Sequence, residues 1–442
     1  MAQLLSGWGR TAPSAADVRA PASGDELAAL LRDPPARGVL ARGLGRAYGD
    51  AAQNAGGAVV DMTALAGIEA FDEATGTVTV RAGTSLGDLI DHVLPRGWFP
   101  AVVPGTRHVT VGGAIAADIH GKNHHVDSAF CSHVDSMELL TPDGERRTLT
   151  PGEDAFAATA GGMGLTGIVL SATLRLRPAE TDWMIVDTER ASDLDDLLAR
   201  MRSGDADHRY SVAWIDCLAR GRALGRGVLM RGEHATRAAL PEPREATALP
   251  GPRLAAPGWA PNGLLRPATV AAFNEVYFRA ARTAQGHPER LAPYFFPLDA
   301  VRDWNRLYGS RGFLQYQCLV PFGAEDVLRA VIERLRAARA PSLLSVLKAM
   351  GPGRGLLSFP APGWTLAMDL AAAPRLVAVL DELDELVAGV GGRVYLAKDS
   401  RLRPELLAAM YPELGRWESI RAGLDPAGVM RSDLARRIGL GG

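Results

Sequence analysis

Two glycine-dense stretches in the N-terminal third constrain the fold more than anything else in the chain. The first, Arg42-Gly43-Leu44-Gly45-Arg46-Ala47-Tyr48-Gly49-Asp50, directly follows the strand-like Val39-Leu40-Ala41. Glycines at this density permit positive φ angles and close approach of backbone to a ligand. Successive free N–H groups there form a nest for an anion such as a pyrophosphate; an ordinary turn has the same composition. The second runs from Pro104-Gly105-Thr106-Arg107 through Val109-Thr110-Val111-Gly112-Gly113-Ala114-Ile115-Ala116-Ala117-Asp118-Ile119-His120-Gly121. Small residues from Gly112 to Ala117 leave room for a flat or phosphate-bearing cofactor, although helix-on-sheet packing also favours them. Together the two stretches say more than either alone. No G-x-G-x-x-G follows a first strand and opens a helix, so the classical dinucleotide fold is not expected.

At 442 residues the chain is too long for one core, and two or three domains are expected. Its 48 basic and 50 acidic residues nearly cancel, which argues against a nucleic-acid partner. Cys131, Cys217 and Cys318 lie far apart, a pattern suited to a reducing compartment rather than to a disulfide framework. The opening residues show no secretory pattern, and no apolar run has the length of a membrane span. The expectation is a cytoplasmic protein, with peripheral membrane contact left open.

Residues 17–32 predict a short strand and then a helix starting near Ser23. A second helix is capped by Thr84 or Ser85 and ended by Pro95–Gly97, and Asp143-Gly144 marks a hairpin. Short strands mixed with a few helices predict an α+β domain over roughly the first 175 residues. From Asp182 the texture changes to β-α-β alternation. GFLQYQCLVP, SLLSVLKAMG and GWTLAMDLAAA read as strands, and AEDVLRAVIERLRAARA and PRLVAVLDELDELVAGVGG as helices. This predicts a second α+β domain with an antiparallel sheet. Residues 235–265, rich in Pro, Ala and Gly, read as a long excursion, and 282–296 as a further mobile cover.

The RGLGRAYGD loop, the PGTRHVTVGGAIAADIHGKNHH segment and the GGMGLTGI turn, in this order, resemble the vanillyl-alcohol-oxidase-type FAD-binding oxidoreductases. LLSGWGRTAPS, GFLQYQ, SFPAPGW, YLAKDSR and the terminal SDLARR extend the resemblance to one branch, the flavin subunits of decaprenylphosphoryl-β-D-ribose 2′-epimerases. The resemblance implies a two-domain α+β flavoprotein: residues 1–178 and 393–442 bind FAD, and 179–392 form the substrate domain. Ala41, Arg42, Gly43, Leu44, Gly45, Arg46, Ala47, Tyr48, Gly49, Asp50 and Ala51 would hold the pyrophosphate and ribityl region. Gly105, Thr110, Val111, Gly112, Gly113, Ala117, Asp118, Ile119 and His120 would line the cofactor, with Ile168 in contact and Tyr395 near the flavin. Some relatives tether flavin through a His in the first loop. Arg46 occupies that place here and cannot form the bond, so non-covalent FAD is expected.

Oxidising a secondary alcohol requires a proton acceptor and positive charge near the flavin pyrimidine. By the resemblance, Lys398 supplies the charge and contacts the reacting hydroxyl; Tyr48 and His120 are the candidate acceptors. Gln315 and Gln317 lie two apart on a strand and so share a face, suited to sugar hydroxyls or to a solvent edge. Lys348 resembles a substrate-pocket lysine of the branch, and Trp214 would wall the cavity. His124 and His125 lack a third ligand, and no metal is expected. Thr365 and Ala367 are further substrate-pocket positions by the resemblance; the mycobacterial flavin subunit carries Asn and Cys there, the thiol being where covalent inhibitors attach, and the departure bears on the identity of the substrate. The leading expectation is oxidation of the 2′-hydroxyl of a polyprenylphosphoryl ribofuranose to the keto sugar, with a separate NAD(P)H-dependent reductase completing epimerisation to arabinose. The alternatives are a soluble alditol or glycoside as substrate, and a non-catalytic flavin-binding partner.

Overall fold

Caps and turn glycines shape the N-terminal part of the computed structural model, which describes residues 2–242 and 245–441. The Ser23 side chain accepts from Glu26 N and opens the helix Gly24–Arg32; Ser85, rather than Thr84, caps Leu86–Val93 through Asp88 N. Gly97, at φ 83°, ends the turn that follows that helix. Ser14–Arg19, Ala58–Asp61 and Val39–Arg42 run parallel, with Ala2–Leu5 added antiparallel at one edge. A second, antiparallel sheet orders Ile68–Asp72, Thr77–Arg81, Ile168–Pro178, Val134–Leu140 and Arg146–Leu149, with the expected hairpin turning at Gly144, φ 83°.

The rest of the chain builds an eight-stranded antiparallel sheet. Its order is Ala284–Arg290, Trp183–Ala191, Gly227–His234, Tyr210–Ile215, Ser345–Met350, Gly363–Ala371, Phe313–Pro321 and Arg393–Val394. Side chains alternate between the faces of a strand. Ala213, Ile215, Tyr316, Cys318, Leu347, Leu366 and Met368 point into one core, shared with the helices Leu194–Gly204, Glu325–Ala337 and Leu376–Gly389. Trp214, Gln315, Gln317, Val346, Lys348 and Ala367 point the other way, into a cavity. The α+β architecture with its antiparallel second sheet is therefore present, and its alternation decides which side chains meet a ligand.

After Val394 the chain leaves this sheet and crosses to the first glycine loop. Tyr48 N donates to Ala397 O at 2.9 Å, and Gly49 packs so tightly on Asp399 O that a Cβ would collide with it. Further on, Trp417 Nε1 donates to Ala158 O at 2.9 Å, and Val39 bridges to Met430.

Two expectations change. Residues 282–296 border the cavity through Glu289, Pro293, Tyr294 and Phe295, but as regular structure rather than loop: Ala284–Arg290 is an edge strand and Leu291–Phe295 a helix whose Leu291, Tyr294 and Phe295 are buried. An i, i+3, i+4 apolar spacing makes such a turn stick, each side chain contributing roughly 1.5–3 kcal/mol on burial. The described residues of the excursion at 235–265 are largely irregular but pinned: Leu249 is buried in the same core as Phe295, and Arg107 Nη2 donates to Pro250 O at 2.8 Å. His124 and His125, adjacent in sequence, do not share a site: they open a short helix, His124–Asp127, and turn to different partners. His124 Nδ1 accepts from Gly351 N at 3.1 Å, and His125 Nε2 meets His208 O at 2.9 Å.

Candidate active site

A cavity of about 720 Å³ lies between the two glycine stretches and the free face of the eight-stranded sheet. The first glycine loop forms one wall with Ala41, Arg42, Gly43, Leu44, Gly45, Arg46, Ala47, Tyr48 and Ala51. Gly45 sits at φ 63°, and a Cβ on Gly43 would collide with Thr110 Oγ1. The amides of Leu44, Gly45, Arg46 and Ala47 find no acceptor among the described residues, so they are free to meet an anionic ligand such as a diphosphate. Gly105, Thr110, Gly112, Gly113, Ala117, Ile119 and His120 continue the wall; Thr110 caps the helix Val111–Ala116 through Gly113 N. A Cβ on Gly105 would meet nothing within 4 Å, so backbone there borders open space. These residues fit an elongated, phosphate-bearing cofactor.

Not every expected cofactor residue reaches the cavity. Gly49 seats the loop on Asp399, and Asp50 is held by Arg437 at 2.8–2.9 Å. Val111 is in the core beneath the helix. Asp118 is fully buried, accepting from Cys131 N at 2.9 Å and from Ser358 Oγ. Ile168 pairs with Leu140 in the second sheet and is buried. These five support the wall from behind. Arg42, although at the surface of the cavity, aims its guanidinium at Ala52 O and Ser6 O (2.7 and 2.9 Å) and so ties the loop down. The guanidinium of Arg46 lies 3.8 Å above the Trp8 ring, its Nε without a partner.

The opposite wall carries the polar groups. Gln317 Nε2 is 3.0 Å from His120 Nε2, and Lys348 Nζ is 3.0 Å from His120 Nδ1. If Gln317 donates to Nε2, the ring proton is on Nδ1 and Lys348 accepts it as a neutral amine. Burial favours that form: it lowers the Lys348 ammonium to about 7 and holds His120 neutral. Lys348 Nζ then still donates to Gly121 O at 3.4 Å. Thr365 stands one layer back, its hydroxyl accepting from Gln317 Nε2 at 3.2 Å and donating to Cys318 O at 3.0 Å. Ala367 lines the cavity opposite Gln317, and Trp214 lines it with its ring 4.7 Å from Tyr277.

Lys398 enters from the crossing segment. Its Nζ lies 3.7 Å from the Tyr48 ring centroid. Tyr395, whose hydroxyl donates to Ala117 O at 2.9 Å, stacks on Phe359 at 4.7 Å. Burial lowers the Lys398 ammonium, and the carboxylate of Asp369 acts against that. Asp369 is fully buried, accepts from Gln315 Nε2 at 2.6 Å and leaves Oδ2 unpartnered. Burial raises its carboxyl, and it raises the Tyr48 phenol well above its ordinary value. Sequence reasoning missed Asp369, although it shares the face of Ala367 two positions on. It also missed Lys122, which lines the cavity and donates to Tyr294 O from above that ring.

The comparisons with known proteins agree with this geometry. Residues 15–150 match the FAD binding domain family, and residues 372–438 match the D-arabinono-1,4-lactone oxidase family. A decaprenylphosphoryl-β-D-ribose oxidase of Mycolicibacterium smegmatis is 44% identical over 447 residues, covering 99% of this chain and 97% of the relative. An uncharacterized protein in the mprA 5′ region of Streptomyces coelicolor is 45% identical over 369 residues, 80% of this chain and all of the relative. An alditol oxidase of Streptomyces sp. is 28% identical over only 40% of the chain and 43% of its own length. No described helix is long and apolar enough to cross a membrane. With a collinear relative matched nearly end to end and an FAD binding domain around the glycine-walled cavity, the chain belongs to the decaprenylphosphoryl-β-D-ribose oxidase family and is an FAD-dependent oxidoreductase.

Proposed function

We propose that the protein oxidises the 2′-hydroxyl of a polyprenylphosphoryl-β-D-ribofuranose to the 2′-keto sugar, the first half of an epimerisation to arabinose. The observation that carries this reading is one cavity in which an amide-lined cradle faces the polar side chains Gln315, Gln317 and Lys348 of the sheet, with His120 and Lys398 between them. FAD, held non-covalently by residues Ala41–Ala47 and the Gly105–His120 stretch, supplies the hydride acceptor. Residues 1–178 and 393–442 are the cofactor domain and 179–392 the substrate domain.

Within the site, Lys398 supplies the positive charge and holds the reacting hydroxyl. Tyr48 stays protonated and offers its ring face to that ammonium. His120 takes the hydroxyl proton at Nε2 as the bound sugar displaces the Gln317 amide from that lone pair, while Nδ1 passes its own proton to Lys348, so the buried imidazole need not keep a charge. A separate NAD(P)H-dependent reductase completes the epimerisation, and the lipid tail brings the enzyme into peripheral contact with a membrane. The soluble-alditol reading is less well supported, because the match to an alditol oxidase stops at 40% of the chain.

The test is direct. The purified protein is expected to be yellow, to release FAD on denaturation, and to bleach anaerobically with a short-chain prenylphosphoryl ribose but not with free ribose or xylitol. Pigment left on the precipitate contradicts non-covalent binding, and bleaching by the alditol alone overturns the substrate.

A further inference from the structure

Half of the large apolar side chains left exposed fall in one short stretch. Leu254, Trp259, Leu264, Phe273 and Val276 are 68%, 81%, 46%, 44% and 67% exposed, whereas five others are scattered over the rest of the described chain. Single exposed apolar residues are ordinary, but a cluster is not. The same region is basic: residues 251–311 hold eight arginines and four acidic residues, in a chain whose formal charge is −2. Arg279, Arg290 and Arg306 are engaged in ion pairs, while Arg253, Arg266, Arg282, Arg302 and Arg311 are exposed.

The pieces adjoin. Leu254–Ala255 pairs with Val301–Arg302, and Asn262 is tied to Ser310 and Arg311 at 2.9 and 3.2 Å. Leu265 packs beside Trp304, which lines the cavity. On the helix Pro267–Ala280, Phe273 and Tyr277 stack at 5.9 Å and both line the cavity, so the patch is continuous with the cavity's rim.

We propose that this rim is a docking surface for an anionic lipid bilayer, holding the cavity mouth against the surface from which a lipid-linked substrate is drawn. The proposal rests on the polyprenyl substrate reading above. A tryptophan and leucines set among arginines match the boundary of such a bilayer, where apolar side chains enter the acyl layer and guanidinium groups meet lipid phosphates.

Sedimentation of the holoprotein with phosphatidylcholine vesicles, with and without phosphatidylglycerol, tests it. Binding is expected only with the anionic lipid and is expected to be released by salt. The pairs Trp259→Ser/Leu264→Ser and Arg253→Glu/Arg302→Glu are each expected to weaken binding by about tenfold or more. Both should keep bound FAD and normal turnover of a short-chain, water-soluble substrate. No vesicle binding by the unaltered protein, equal binding to neutral vesicles, or undiminished binding by both variants overturns the docking surface. If vesicles bind as expected but no prenylphosphoryl ribose reduces the flavin, the surface stands and the substrate reading falls.

Discussion

Lys398 Nζ lies 3.7 Å above the ring of Tyr48, a residue that belongs to the first glycine loop and is more than three hundred positions away. The contact joins the first glycine loop to the YLAKDSR segment and puts a buried ammonium where that loop meets the polar face of the sheet. It exists because Tyr48 N is bonded to Ala397 O, which fixes the register of the two segments.

Lys398→Ala is expected to retain FAD but to lose turnover. Removing one preorganised charge-stabilising donor costs about 10²–10³ in kcat. Anaerobic stopped-flow measurement of flavin bleaching gives the rate, and the absorption spectrum gives cofactor content. Near-normal kinetics would remove Lys398 from the mechanism.

The pH profile should report the same amine. Burial lowers the Lys398 ammonium to about 8 against the opposing pull of Asp369. Since the charged form is the active one, kcat/KM should fall as pH rises through about 8. Asp369→Asn removes the charge that sustains the ammonium, so the alkaline limb should move to lower pH, by about one unit. A limb that does not move would uncouple the two residues.

The three natural cysteines are buried, and burial pushes the Cys217 and Cys318 thiols up to about 12 and Cys131 well above its ordinary value. Native protein should therefore resist a thiol-directed electrophile. Ala367 lines the cavity, so Ala367→Cys should take up one equivalent, read by intact mass, with parallel loss of turnover. Labelling elsewhere, or labelling that spares activity, would move position 367 out of the substrate path.

Gly43→Ala pushes a methyl group into Thr110 Oγ1, where the two glycine stretches touch. Overpacking of this kind costs about 1–3 kcal/mol. FAD affinity measured by titration of the apoprotein should fall by roughly tenfold or more, with unchanged far-ultraviolet circular dichroism. Undiminished affinity would mean that the stretches need not meet in this way to hold the cofactor.

Much was legible in the sequence because it is local. Ser23 and Ser85 cap the helices that they precede, Gly144 turns its hairpin, and period-two alternation put Gln315 and Gln317 on one face. The composition of the glycine stretches allowed a phosphate cradle or an ordinary turn, and the order of the motifs, through the family resemblance, pointed to the cradle. Local pattern could not separate the wall of the cavity from its backing: Asp50, Asp118, Ile168 and Thr365 look like their neighbours but are turned into ion pairs, cores and second-layer hydrogen bonds. Nor could it reveal that 282–296 is edge strand and helix, since that depends on a partner strand about a hundred residues earlier. Above all, the meetings of Tyr48 with Lys398, His120 with Lys348 and Gln315 with Asp369 arise from packing between distant segments. Charge states there are set by desolvation and by the neighbours that folding brings, which only the tertiary structure decides.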